Sequence, residues 1–365
     1  VDNNRPDLLL IYSTPLSVKS DLIVKECNGI ILDKIDYSII AYGLDNIIDL
    51  TGREFIQTFD NKGDIGDGNK GEGMVHETED GSLMRIFFYR DEWIVSTSRK
   101  IDASRVNWSS EKTFLTLVKE AVGIETIKSE NKSEDESTQE LQTLFNKELS
   151  KEYTYSFVLV SPDNFNVIKY TLPRLVYISR RHNVTLLEEG DNMPNFNCCL
   201  PRLLNFDQVK SNLNDCCKLE KRGVVGVYEN FIYKCDYNWF RNAEKLRYNM
   251  PSLKLSYLAC SYSERVQFKT LFGDENDQAM YNDIDNIVKN LTFESYKIYK
   301  ESFIKKKYMV PIDHPVFYIV SRLHNLYKSR SVPISLHDVF MVMNNIPVDI
   351  MDKTLTFFSL NGFCL

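Results

Sequence analysis

The chain has 365 residues and a mass of 42.5 kDa, enough for two domains with hydrophobic cores of their own. Its 43% hydrophobic and 26% charged residues are ordinary for a globular protein, and no apolar run approaches the roughly 18 residues of a membrane span. The formal charge of 44 − 51 = −7 argues against a protein that coats nucleic acid non-specifically, while leaving a local basic groove open.

The opening residues Val1-Asp2-Asn3-Asn4-Arg5 carry neither Met nor a signal peptide, which suggests a trimmed start. Short β-rich runs follow at 8–12, 29–32 and 37–42, separated by polar breaks, and read as strands. Glycines 63, 66, 68, 71 and 73 among Asp and Asn mark a flexible surface loop at 60–73. Residues 82–89 and 92–97 alternate as two strands around an Arg90-Asp91 turn, a hairpin. Phe114, Leu117, Val118 and Val122 share one face of a helix over 110–122. Residues 125–152 hold eight acids against four lysines, and 129–137 reads as a solvated or disordered insertion.

Further strands are expected at 153–161, 167–170, 175–179 and 223–233. From about 276 the period becomes helical, with Met280, Ile284, Ile287 and Val288 starting one helix and Ser335 capping another. The expected organisation is an α+β domain over 1–255, with antiparallel sheets and the acidic insertion at 125–152, followed by an all-helical domain over 256–365.

Eight cysteines are too few for a disulfide scaffold. The adjacent pairs Cys198-Cys199 and Cys216-Cys217 lack the C-x₂-C spacing of a zinc knuckle, and buried reduced thiols are expected.

One constellation bears on chemistry. Asp80-Gly81-Ser82 precedes the hairpin, with Trp93 and Thr97 on its second strand. Glu26-Cys27-Asn28-Gly29-Ile30-Ile31-Leu32-Asp33 lies upstream. Tyr153 to Asn164 reads Y-T-Y-S-F-V-L-V-S-P-D-N, then Val167 to Tyr170, then Arg222-Gly223-Val224-Val225 and a closing run from Tyr233 to Asn249. In order and spacing these segments resemble the RNA ligases of the bacteriophage tRNA-repair type, in the covalent nucleotidyltransferase superfamily of DNA ligases and capping enzymes. The resemblance covers roughly residues 8–250 and implies an RNA ligase-like, ATP-grasp-like nucleotidyltransferase fold with a helical C-terminal domain.

That chemistry needs a lysine nucleophile, two glutamates for metal and nucleotide, and a lysine pair for the phosphates. The resemblance puts Thr78 at the nucleophile, Val158 and Arg222 at the glutamates, and Tyr233 and Cys235 at the lysine pair, with Lys234 between them on the opposite face. Asn28 stands at an upstream arginine. A threonine hydroxyl without a base is a poor nucleophile, and valine cannot ligate Mg²⁺. The implied protein is a pseudoenzyme with no catalytic residue, cofactor or metal.

The alternative is a divergent ATP-dependent RNA ligase with Lys70, in Lys70-Gly71-Glu72-Gly73, as nucleophile. The bland reading of that segment is a solvated glycine loop. Glu220 could lend a carboxylate but reads as surface, Arg180-Arg181-His182 as a solvated turn, Lys305-Lys306-Lys307 as a wet helix face, His76 as a satisfied polar residue, and Trp239 with Phe240 and Tyr237 as core. The lean to Asn, Lys, Ile, Asp and Tyr is what AT-rich coding produces, as in large DNA viruses and some protists. The expected partners are protein subunits of a larger assembly, and RNA, but no membrane. The expected setting is a reducing compartment, cytoplasm or virus particle.

Overall fold

The computed structural model describes residues 5–14, 16–18, 23–24, 27–44, 47–60, 74–125, 133–164, 166–189, 192–214, 221–228 and 231–361. It is an α+β protein of two compact units, Val1–Asn242 and Ala243–Leu365. Loop 60–73, apart from Asp60, lies outside the described residues, and so do Lys70, Cys216, Cys217 and Glu220.

The first unit holds three sheets. β1 (Leu8–Leu10), β2 (Ile31–Asp33) and β3 (Ile39–Ala41) form a small antiparallel one. The second is built on the hairpin β6 (Ser82–Tyr89) and β7 (Glu92–Thr97), with β8 (Tyr153–Val160), β9 (Arg174–His182) and β10 (Glu188–Glu189), in the order β10-β9-β8-β6-β7. The third runs β11-β5-β12-β13-β4, from β4 (Ile47–Asp49), β5 (Val75–Thr78), β11 (Leu203–Leu204), β12 (Gly223–Tyr228) and β13 (Phe231–Asp236). Only β13–β4 in it is parallel. Two short helices, α1 (Gly52–Asp60) and α4 (Phe206–Asn214), accompany this sheet.

The second sheet carries the main core. Met84 and Ile86 of β6, Tyr155, Phe157 and Leu159 of β8, and Leu175 and Tyr177 of β9 meet Trp93, Leu117 and Val118. The period-2 alternation of those strands puts these side chains on one face. Helix α2 (Phe114–Ala121) closes the core, its first turn capped by Thr113.

Several expectations are corrected. Of the expected insertion, 129–132 lie outside the described residues, and 133–136 are exposed, as expected, but ordered. They begin α3 (Glu134–Glu148), whose Ser133 and Glu136 form a capping box. Ser137, Leu141 and Phe145 recur every four residues on the buried face of this otherwise acidic helix. The buried Lys119 ammonium binds Ser137 Oγ and Thr138 Oγ1, each at 2.8 Å, fastening that first turn. Trp93 holds the middle, donating from its backbone N–H to Gln142 Oε1 and from Nε1 to Asn146 Oδ1. Counting net charge hides Leu141 and Phe145, whose burial in the core orders the helix.

Residues 167–170 form no strand, because their backbone is taken up by a side chain, as described below. The run 223–233 is two strands, β12 and β13, paired antiparallel. Arg181 lies within β9 and not in a turn, 5% exposed, donating to Gly43 O at 2.7 Å and paired with Glu188.

The second unit is helical. Its helices include Leu253–Ala259, Tyr262–Phe272, Glu275–Tyr299, Phe317–Arg330, Leu336–Met343 and Val348–Asn361. Ser335 caps Leu336–Met343 in a box with Asp338, as its position suggested. No described helix is long and apolar enough to cross a membrane.

Candidate functional site: the turn between two sheets

β5 ends at Thr78 in the third sheet and β6 begins at Ser82 in the second, so Glu79-Asp80-Gly81 joins the two. Side chains from a segment some 85 residues downstream build this turn. Asp80 is 2% exposed, and its Oδ2 accepts the backbone N–H groups of Val167 and Ile168 at 2.7 and 2.9 Å. The Tyr170 hydroxyl accepts from the Asp80 N–H and donates to Glu79 Oε2, while Arg174 binds Glu79 Oε1 at 2.8 Å. Asn164 Nδ2 donates to Ser82 Oγ at 3.2 Å. The motif residues around Asp80 and those between Asn164 and Tyr170 are thus partners in one hydrogen-bonded cradle.

Gly81 is required there. A Cβ would lie 2.4 Å from Leu159 O and 2.7 Å from Val158 Cγ1. Burial pushes the Asp80 carboxyl above the usual carboxylate range, against the pull of the two N–H groups and the Arg222 charge.

Register decides which side chains share a face. Thr78 and Asp236 both lie opposite Gly223, and His76 and Lys234 both lie opposite Val225. Lys234 is also paired with Asp49 across β13–β4. One face of the third sheet therefore presents His76, Thr78, Lys234, Asp236 and Asp49. Lys234 Nζ bridges Asp49 at 3.1 Å and Asp236 at 3.3 Å. Arg222 Nε meets Asp236 Oδ1 at 2.9 Å, and its guanidinium covers the Phe240 ring. Burial would raise the Asp236 carboxyl, but Arg222 and Lys234 outweigh it and hold the group below the usual range.

The expected site residues divide accordingly. Thr78 lies opposite Gly223, the residue after Arg222, and Val158 sits beside Gly81, half-buried and paired with Leu83. Tyr233 and Cys235 do not join them. They point to the other face, where Tyr233 packs edge-on against Phe59 and Cys235 is 1% exposed. The strand residues that reach the Thr78 face are Lys234 and Asp236, one place along from the expected pair. The alternation of β13 was legible, but which parity faces Thr78 follows only from cross-strand register.

His76 Nδ1 and Thr78 Oγ1 are both buried without a hydrogen-bond partner, while the His76 ring also bonds the Pro201 backbone, so His76 is satisfied on one side only. Burial also lowers the His76 pKa. Trp239, Phe240 and Tyr237 are buried. A Mg²⁺ site does not fit these residues. Val158 offers no oxygen, Arg222 is cationic, and Asp236 is already neutralised by two cations.

No protein-family model matches the chain. Three curated viral proteins do. The Immediate-early protein ICP-46 homolog of Invertebrate iridescent virus 6 is 24% identical over 70% of this chain and 59% of its own length. A protein named bifunctional polynucleotide kinase/RNA ligase, from Autographa californica nuclear polyhedrosis virus, is 28% identical over 57% of this chain and 28% of its own. One named RNA-ligase, from African swine fever virus, is 24% identical over 41% of this chain and 32% of its own. Over part of its length the chain is thus similar to viral proteins named as RNA ligases.

It spans less than two thirds of each of these relatives. Among solved structures, an ATP-dependent DNA ligase of Aquifex aeolicus gives a TM-score of 0.36 at 13% identity, over 67% of this chain and 62% of that one. A Naegleria gruberi RNA ligase gives 0.32 at 12%, over 56% and 58%. Both likenesses are distant, and the relationship rests on the viral sequences.

Proposed function

We propose that this RNA ligase-like chain, of the bacteriophage tRNA-repair type, does not transfer nucleotides. In this reading it is a binding or scaffold subunit of a larger assembly, viral in setting, with protein subunits as partners and RNA as a further one. The observation that carries the reading is the Arg222–Asp236 ion pair, whose aspartate shares a sheet face with Thr78 across Gly223. Where the resemblance calls for a glutamate the chain has Arg222, its charge satisfied by Asp236, and where it calls for two lysines the chain has Tyr233 and Cys235.

A phosphate brought to Thr78 would meet a hydroxyl with no hydrogen-bonded base, and one lysine already shared between Asp49 and Asp236, two carboxylates that it neutralises. The cradle of Asp80, Asn164 and Tyr170 remains, buried and bonded within the chain, so the scaffold of the turn is kept without the chemistry.

The test is intact-mass spectrometry after incubation with ATP or GTP and Mg²⁺. No covalent nucleotide is expected on the unaltered chain or on Thr78→Lys. An adduct mapped to Lys70, or to any other lysine of the unaltered chain, would overturn the reading in favour of a divergent ligase. A nucleotide gained by Thr78→Lys would show that the rest of the site is competent.

A further inference from the structure

Behind the third sheet, on the face away from Thr78, lies a cavity of about 490 Å³ lined by Arg53, Ile56, Gln57, Leu213, Asn238 and Arg241. Its size is that of a small-ligand site. Arg53 and Arg241 line it, and among the described residues no carboxylate does. Arg241 donates to Leu50 O and lies 4.0 Å from Cys235 Sγ. Burial pushes that thiol up to about 11, so it is neutral near pH 7 and does not offset the arginine.

Glu54, next to Arg53 in the chain, is turned back on its own helix, and Arg241 reaches it only at a distance, helping to lower its pKa. Its carboxylate accepts the Thr51 N–H and hydroxyl at 2.8 and 2.7 Å. Among the described residues neither Arg53 nor Arg241 has a carboxylate within ion-pair distance. Like charges gathered around one cavity repel unless an anion joins them. Planar guanidiniums with amide donors alongside, here Gln57 and Asn238, suit a phosphoryl group. Ile56 and Leu213 add an apolar wall.

We propose that this cavity binds a phosphate-bearing small molecule, with the phosphoryl group between Arg53 and Arg241 and its organic body against Ile56 and Leu213. The site stands apart from the Thr78 face and does not depend on whether the chain transfers nucleotides.

The test is calorimetric titration of the full chain with AMP, ribose 5-phosphate, inorganic phosphate and adenosine. The phosphate esters are expected to bind with Kd below about 1 mM. Inorganic phosphate should bind more weakly, and adenosine not at all. Arg53→Ala should weaken ester binding at least tenfold, as should Arg241→Lys, which keeps the charge but loses the fork. Arg53 is exposed, so its replacement leaves folding intact, which tryptophan fluorescence verifies. Lys234→Ala, on the opposite face, should change nothing.

Failure of every probe to bind would overturn the proposal. So would binding indifferent to Arg53→Ala, binding lost instead in Lys234→Ala, or adenosine binding as well as AMP. Inorganic phosphate binding as tightly as the esters would remove the organic body from it.

Discussion

Removing either member of the Arg222–Asp236 pair should cost stability, and removing both should cost less than the sum. At 2.9 Å, in an effective dielectric of about 20, the two charges attract by roughly 5–6 kcal/mol before desolvation is counted. The side chains are 21% and 9% exposed, so water screens part of this and burial opposes much of the rest. Lys234 also stays on Asp236 in Arg222→Ala. We expect about 1.5–3 kcal/mol for Arg222→Ala, and a coupling of about 1–2 kcal/mol in the cycle with Asp236→Ala.

The assay is urea unfolding followed by tryptophan fluorescence. Trp93, Trp108 and Trp239 all lie in Val1–Asn242, so the signal reports that unit. The Asp236 carboxyl is held below its unfolded value, so its stabilising contribution is complete above the unfolded Asp value of about 3.9 and is lost as pH falls through the lower folded one. The coupling should therefore be flat from about pH 5 to 8 and fade below about pH 4. Additive single changes, or a coupling that persists unchanged at low pH, would refute the ion pair as the organiser of this site.

Other outcomes follow from the same geometry. Asp80→Ala strands the buried N–H groups of Val167 and Ile168 and should cost about 2–4 kcal/mol, with faster hydrogen exchange at those two amides and a smaller loss in Asp80→Asn. Gly81→Ala drives a methyl against Leu159 O and should lower the urea midpoint by the equivalent of at least about 2 kcal/mol. Ser133→Ala removes the capping box of α3 and should cost about 1 kcal/mol, measured the same way. Asp80 has the opposite pH sign to Asp236. Its folded pKa is raised, so wild-type stability relative to Asp80→Asn should be greatest below the unfolded value and decline as pH rises towards the folded one.

The sequence by itself determined what depends on local order. The β6–β7 hairpin, the Trp93 core, the helical second half and the Ser335 cap were all readable, because periodicity and turn chemistry act over a few residues. The relationship was readable too, since Asp80-Gly81-Ser82, Pro162 to Asn164 and Tyr170 keep their order.

What tertiary structure alone decided depends on partners far along the chain. Asp80 takes up the backbone at 167–168, so an apparent strand is none. Leu141 and Phe145 find the Trp93 core, so an acidic stretch becomes a helix, although Ser133-x-x-Glu136 and the four-residue spacing could have signalled it. The parity of β13 shows the same limit most sharply. A strand's two faces are distinguishable in sequence, but a single-residue step in register exchanges them. Only the pairing of Gly223 with both Thr78 and Asp236 places Lys234 and Asp236, and not Tyr233 and Cys235, beside Thr78.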